Sequence, residues 1–234
     1  AGRLLEALKP EPVQPGELRK QALTDAVAAV LTQYDPKNGG FGAAPKFPMP
    51  GALAFLILRQ PLLQDGMFVE VAIRKTLESM AAGGFHDQLG GGFHRYSVDE
   101  AWIVPHFEKM ADDNAWLLRN YIDAYALYKD ERFREVAQGI VQFIREVLSD
   151  PAGGFFASQD ADVTPDDEGG YFTWTDDEFR AVLTDDEYAV LSRLLLDPRG
   201  AMHHDPSRHV LFVAREPREI AQELSMPFDA VQHI

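Results

Sequence analysis

Cysteine is missing altogether from this chain of 234 residues, which excludes disulfides and thiol catalysis. Long apolar runs are missing too, and none approaches the roughly 20 residues a bilayer-spanning helix needs. The opening stretch AGRLLEALKPEP has no apolar core of the signal-peptide kind, so a cytoplasmic location is the default. Positive charge is scarce: 22 Lys and Arg stand against 37 Asp and Glu, for a net charge of −15. Nucleic acid and anionic membranes are thereby excluded as partners, because phosphate binding needs a Lys/Arg surplus. Neutral partners such as sugars stay open, as do cations. The chain begins with Ala rather than Met and reads as a processed chain or a fragment.

What is present is ordinary for a globular protein: 46% hydrophobic and 25% charged residues. The length suffices for a sizeable core, as one large domain or two small ones. Residues 1–16 read as a leading arm. Helical stripes follow. Leu23, Val27, Val30, Leu31 and Tyr34 predict a helix over 18–34, and a short buried one is predicted over 51–59. Val69, Ala72, Ile73, Leu77 and Met80 predict another over 67–80. Helices over 111–129 and 131–148, separated only at Lys129-Asp130, should be antiparallel neighbours, with Trp116 in the core. Residues 153–174 turn aromatic and alternating, which reads as a small hairpin. Thr175 with Glu178, and Thr184 with Glu187, are capping-box patterns. A strand over 210–213 and two short helices complete the tail.

Gly-Gly pairs recur at 39, 83, 90, 153 and 169, each followed by a ring: Phe41, Phe85, Phe93, Phe155 and Tyr171. Helix C-caps account for one glycine per site. Close backbone approach, to a ligand or to a neighbouring loop, accounts for the second. The densest stretch is 83–113, with His86, His94 and His106 beside Asp87, Arg95, Asp99, Trp102 and Glu108. Such a window looks built to line a concave polar site.

The runs GGFGAAPKFPMP (39–50), GGFHDQLGGGFHRYSVDEAWIVPHFEKMADDNAWL (83–117), GGFFASQDAD (153–162) and EGGYFTWTDDEF (168–179) carry a resemblance. The chain resembles the middle region of the thioredoxin-domain-containing proteins similar to spermatogenesis-associated protein 20. The resemblance implies an all-α fold: part of an (α/α)6 toroid of antiparallel helical hairpins, with small β-hairpins in the loops, like six-hairpin glycosidases and sugar epimerases. On this basis residues 17–234 form one toroid-like domain with an incomplete ring. Neither the thioredoxin-like domain nor the later toroid helices are expected in this chain. Where the family usually reads Lys-Met-Leu-Tyr-Asp-Asn, this chain has Lys109-Met110-Ala111-Asp112-Asp113-Asn114, a carboxylate in place of an aromatic ring.

A carbohydrate-active site needs carboxylates, paired for hydrolysis as acid and as base or nucleophile. Asp87, Asp99, Glu108, Asp112, Asp113, Asp160 and Asp162 are candidates, although an Asp near glycine also caps turns. His94 can shuttle a proton in an epimerase-type abstraction, or hold the loop by bonding a carbonyl. The expected catalytic set is Asp87, His94, Glu108 and Asp160. Arg95, Tyr96, Trp102, Asp162 and Trp174 are expected to bind substrate, the rings by stacking on sugar faces, against the commoner fate of core packing. A zinc site on His86, His94 and His106 lacks the short helical spacing such sites use. The acidic run 160–168 fails the EF-hand template at Pro165 and Tyr171, and Lys46 fails the phosphate-loop template. No metal or cofactor is therefore expected. The functional expectation is a glycosidase- or epimerase-like segment with a pocket lined by the glycine-aromatic loops. The rival is a non-catalytic binding or scaffold module working with a thioredoxin-like domain, or an inactive fragment. An incomplete ring also predicts self-association through exposed helix flanks.

Overall fold

A computed structural model describes residues 16, 19–164 and 167–234. The leading arm expected over 1–16 lies outside the described residues except for Gly16, and so do two residues of the acidic run, Pro165 and Asp166.

Among the described residues five helices build the first part: α1 (Lys20–Leu31), α2 (Pro50–Arg59), α3 (Met67–Ala82), α4 (Ala111–Tyr128) and α5 (Glu131–Phe143). The stripe on α3 is buried as its spacing dictates, through Val69, Ala72, Ile73, Leu77 and Met80. Lys129 ends α4 in the left-handed conformation at φ 57°, and the Asp130 side chain then caps α5 by accepting from Arg132 N at 3.1 Å. This two-residue reversal makes α4 and α5 antiparallel neighbours. Their common face joins Leu117, Tyr121 and Ala124 to Phe133, Ala137 and Ile140, and α2 adds Leu53, Leu56 and Ile57 to the same core. Full burial of a ring such as Phe93 or Phe133 contributes about 2–3 kcal/mol each. Trp116 was expected in this core but is 48% exposed. It lies about 100° around the helix from Leu117, off the inner stripe.

The α5 stripe stays helical only to Phe143, where a π turn takes over through Leu148. The wider turn keeps Leu148 buried while Val141 and Val147 face outward. The second part holds α6 (Asp176–Val182), α7 (Asp185–Leu195), α8 (Pro217–Leu224) and α9 (Phe228–Gln232). Both capping boxes are formed, at Thr175 with Glu178 and at Thr184 with Glu187. Val190, Ile220, Ala221 and Val231 make a small core here. Val213 N donates to Ala82 O at 2.7 Å and ties this part to the end of α3.

Among the described residues six short strands form three antiparallel pairs: β1 (Tyr96–Ser97) with β2 (Pro105–His106), β3 (Lys109–Met110) with β4 (Ser158–Gln159), and β5 (Thr173–Thr175) with β6 (Arg208–Val210). The hairpin expected over 153–174 is therefore corrected. Its two arms pair with β3 and β6, because aromatic alternation marks a strand without choosing its partner. Among the described residues no helix is long and apolar enough to cross a membrane.

Several of the glycine pairs approach neighbouring loops and helices, whereas Gly153 and Gly154 have open space around them. Gly91, at φ +67°, lies so close to α5 that a Cβ there would sit 2.5 Å from Gly139 O. Gly40, at φ +80°, lies flat against the Trp102 ring.

Candidate functional site

Three loops share one construction. In the first, Asp35 N donates to Gly40 O and Gly39 N to Asp35 O, while Asp35 Oδ1 accepts from Lys37 N and Asn38 N. In the second, Asp87 N donates to Gly92 O and Gly91 N to Asp87 O, while Asp87 Oδ1 accepts from Leu89 N and Gly90 N. A third, one residue shorter, runs from Asp150 to Gly154. A phenylalanine closes each loop by a bridge to the residue before the Asp: Tyr34 to Phe41, His86 to Phe93, and Ser149 to Phe155.

The second loop carries the polar centre. Lys109 Nζ, on a side chain only 1% exposed, donates to Asp87 Oδ2 at 2.6 Å and to Gly91 O at 2.9 Å. It also lies 4.5 Å from the Phe143 ring centroid and 5.0 Å from that of Phe172. Burial pushes the Asp87 carboxyl up, but the Lys109 charge and hydrogen bond outweigh it and hold it below the usual carboxylate range. Burial draws Lys109 below the ordinary lysine value against the opposing pull of Asp87. Asn114 clamps the loop to α4: its Oδ1 accepts from Phe93 N at 2.7 Å and its Nδ2 donates to Phe93 O at 2.9 Å.

Above this centre lies a cavity of about 330 Å³. His86, Asp87 and His94 line it from the second loop, Tyr171 and Trp174 from the segment around β5, and Leu211 from just beyond β6. His94 Nδ1 sits 2.8 Å from Phe107 O. A carbonyl only accepts, so Nδ1 carries the proton and Nε2 is left as the acceptor. Burial, then the Lys109 charge, lower the His94 pKa to about 3, against the pull of Asp87. His86 falls to about 4 by burial first, with Asp87 opposing and Lys109 adding. Both imidazoles are therefore neutral at pH 7.

Three of the expected residues, Asp87, His94 and Trp174, thus meet in the cavity from distant parts of the chain. The others do not line it. Trp102, expected to stack on substrate, is fully buried, packs on Phe85 at 5.1 Å and donates from Nε1 to Asn38 O at 3.2 Å. The carboxylate of Asp99 accepts from Ala101 N, Ile103 N and Val104 N and so shapes the turn around it. Arg95 and Glu108 alternate outward from His94 and Phe107, and Tyr96 is half-buried away from the cavity. Arg95 Nη1 donates to Glu108 Oε2 at 2.8 Å, and Tyr96 stacks on His106 at 5.0 Å. Half-burial, then the nearby Asp112, raise the Asp113 carboxyl, with Arg95 opposing and Glu108 adding. Asp160 and Asp162 are exposed, linked only by a 3.4 Å contact from Asp162 N to Asp160 Oδ1. Among the described residues no three His, Asp or Glu side chains converge to hold a metal.

Sequence reasoning missed Lys109, Phe172 and Leu211, and reached Tyr171 only as the ring of a glycine-aromatic loop. For Lys109 a signal existed. The run Asp-x-x-x-Gly-Gly-Phe occurs at 35–41 and at 87–93, and each copy acquires a buried lysine, Lys46 or Lys109, on its Asp.

Among the described residues the helical hairpins, the glycine loops at their ends and sheets of no more than two strands make a partial (α/α)6 toroid fold. A solved sugar epimerase from a ruminal bacterium shares the fold, with a TM-score of 0.52 at 16% identity over 60% of this chain and 39% of that one. The chain is also a homologue of part of spermatogenesis-associated protein 20: it is 45% identical to the human protein over 158 residues, covering 64% of this chain. An uncharacterised protein of Caenorhabditis elegans is 36% identical over 195 residues, or 78% of the chain. The chain spans 20% of the human relative's length and 27% of the nematode one. No family model matches it.

Proposed function

We propose that the cavity above Asp87 and Lys109 binds a neutral, polyhydroxylated small molecule of the sugar kind. The observation that carries this reading is the meeting of a neutral imidazole with exposed and half-exposed aromatic rings in one space of about 330 Å³. The Nε2 atom of His94 offers an acceptor for a ligand hydroxyl. Tyr171 and Trp174 offer flat faces for sugar C–H groups. The ion pair beneath is internally neutral, so the cavity has no call for a charged ligand. The likeness to a sugar epimerase fold is in line with this reading but rests on fold alone.

Acid–base catalysis within this cavity is not favoured. Among the described residues Asp87 is the one carboxylate lining it, and it is ion-paired and held ionised, so it has no proton to give. His94 at about 3 is too weak a base for proton abstraction near neutral pH. These two facts favour recognition over hydrolysis and support the binding-module alternative. A second reading places acid–base work outside, where half-buried Asp113 with its raised carboxyl faces the Arg95–Glu108 pair. That arrangement sets a carboxyl shifted toward its protonated form beside one paired to an arginine, the division of roles the two-carboxylate mechanism uses.

Calorimetric titration with monosaccharides and disaccharides tests the cavity. Binding lost in Trp174→Ala and weakened at least tenfold in His94→Ala supports it. Absence of binding by every sugar, or binding indifferent to both substitutions, refutes it. Hydrolysis of an aryl glycoside abolished by Asp113→Asn would establish the second reading.

A further inference from the structure

A groove of about 570 Å³ lies among the end of α3, the first half of α5 and the α8–α9 segment. Phe133 and Val136, three residues apart and so on one face of α5, supply part of its floor. Ala82, Val213 and Phe228 complete an apolar surface. Val213 is 37% exposed there.

Charge around this floor is lopsided. Glu78, Glu135 and Glu216 line the groove against Arg132 and Arg218. Both arginines are already engaged. Arg132 holds Glu78 at 2.8 Å and Asp130 at 2.7 Å, and Arg218 lies over the Phe228 ring at 4.4 Å. The cations next in sequence turn elsewhere too: Arg134 pairs with Glu131, and Arg215 with Glu219 and Glu223. Glu135 on α5 and Glu216 at the start of α8 are therefore exposed carboxylates on two different elements of the lining. Neither has an ion pair among the described residues.

We propose that this groove binds a small organic cation with an apolar body, a primary alkyl- or arylalkylammonium ion. Its volume is that of a small-molecule site. The floor takes the hydrocarbon. The free carboxylates take the ammonium, which has three N–H groups to donate. A neutral ligand would leave both carboxylates unused, and an anion would be repelled by them. No arginine has to leave its present partner. The inference stands apart from the cavity reading, because none of the floor residues or glutamates named here lines the cavity beside His94.

Calorimetric titration of n-butyl-, n-hexyl- and n-octylammonium into the full chain tests this, with n-hexanol and hexanoate for comparison. Hexylammonium should bind at least threefold more tightly than hexanol, and hexanoate should bind least. Each added methylene should tighten the ammonium about threefold. Glu135→Gln with Glu216→Gln should bring hexylammonium to the level of hexanol. Glu146→Gln with Asp177→Asn removes as much charge at exposed positions outside the groove and should leave its affinity unchanged, which separates a site from the general attraction of a chain with net charge −15. Val213→Asn and Phe228→Ala should each flatten the gain per methylene, with thermal melting to verify folding. Absence of binding, an affinity indifferent to the head group, or an affinity preserved in the Glu135–Glu216 double variant overturns the proposal. So does a gain per methylene that survives both floor variants.

Discussion

Lys109 Nζ donates to Asp87 Oδ2 at 2.6 Å from an almost fully buried side chain, as Lys46 Nζ donates to Asp35 Oδ2 at the same distance. Asp35 also titrates below the usual carboxylate range: burial opposes this, but the hydrogen bonds from Lys46 and Asn38 outweigh it. The pair at Asp87 is thus a structural device used twice, and its second copy borders the cavity that His94 and Trp174 line.

Removing one partner of such a pair leaves an uncompensated buried charge. Lys109→Met should therefore destabilise by about 3–5 kcal/mol, read from urea denaturation. The double variant Lys109→Met with Asp87→Asn should recover part of that loss. A double variant no more stable than the single would show that the lost charge pairing is not the cause.

Stability should fall with acid in a window set by histidine. His86 and His94 titrate at about 4 and about 3 in the folded chain, against roughly 6.5 when unfolded. Both folded values are lowered, so the unfolded chain binds protons first as pH drops. The stability is complete above about 6.5 and is lost between there and about 4, at about 1.4 kcal/mol per pH unit for each ring. Asp87, also depressed, adds its loss only below the ordinary carboxylate range. Urea midpoints at pH 7 and pH 5 that coincide would rule out two neutral buried imidazoles. A His86→Phe variant should halve the slope.

Gly91 and Gly139 touch, yet their substitutions should differ. Gly91→Ala puts a Cβ 2.5 Å from Gly139 O at a φ of +67°, and should cost about 1–3 kcal/mol. At Gly139 the nearest atom to an added Cβ is Gly91 Cα at 3.7 Å, ordinary contact. Gly139→Ala should be neutral or stabilise by up to about 1 kcal/mol through helix propensity. Thermal melts of the two variants check the contrast.

Leu58, Leu62, Met67, Phe68 and Val71 are all more than half exposed around the α2–α3 connection. Concentration-dependent self-association is the expected outcome, reduced in Leu62→Asp with Phe68→Asp. Light scattering that reports a strict monomer at high concentration would count against it.

The helices were legible because burial on one face imposes a repeat of three and four residues. The α3 stripe and the α4–α5 turn follow that rule closely. Trp116 escaped it, since a helical position alone does not say which face turns inward. Asp87, His94 and Trp174 were legible as chemistry-bearing residues near glycine turns. Arg95 and Glu108 were equally visible, but strand alternation sends them to the opposite side of the chain from His94 and Phe107. Trp102 was misplaced for a related reason, as Gly40 leaves room for its ring and the core takes it.

The sequence by itself determined the helical hairpins, their caps and the reversals between them, because these depend on neighbours within a few positions. Only the tertiary structure decided that β4 joins β3 and β5 joins β6, that Lys109 sits on Asp87, and that Trp174 faces His94. Those pairings link positions 22 to 80 residues apart, where a choice among competing partners depends on the packing of the whole chain.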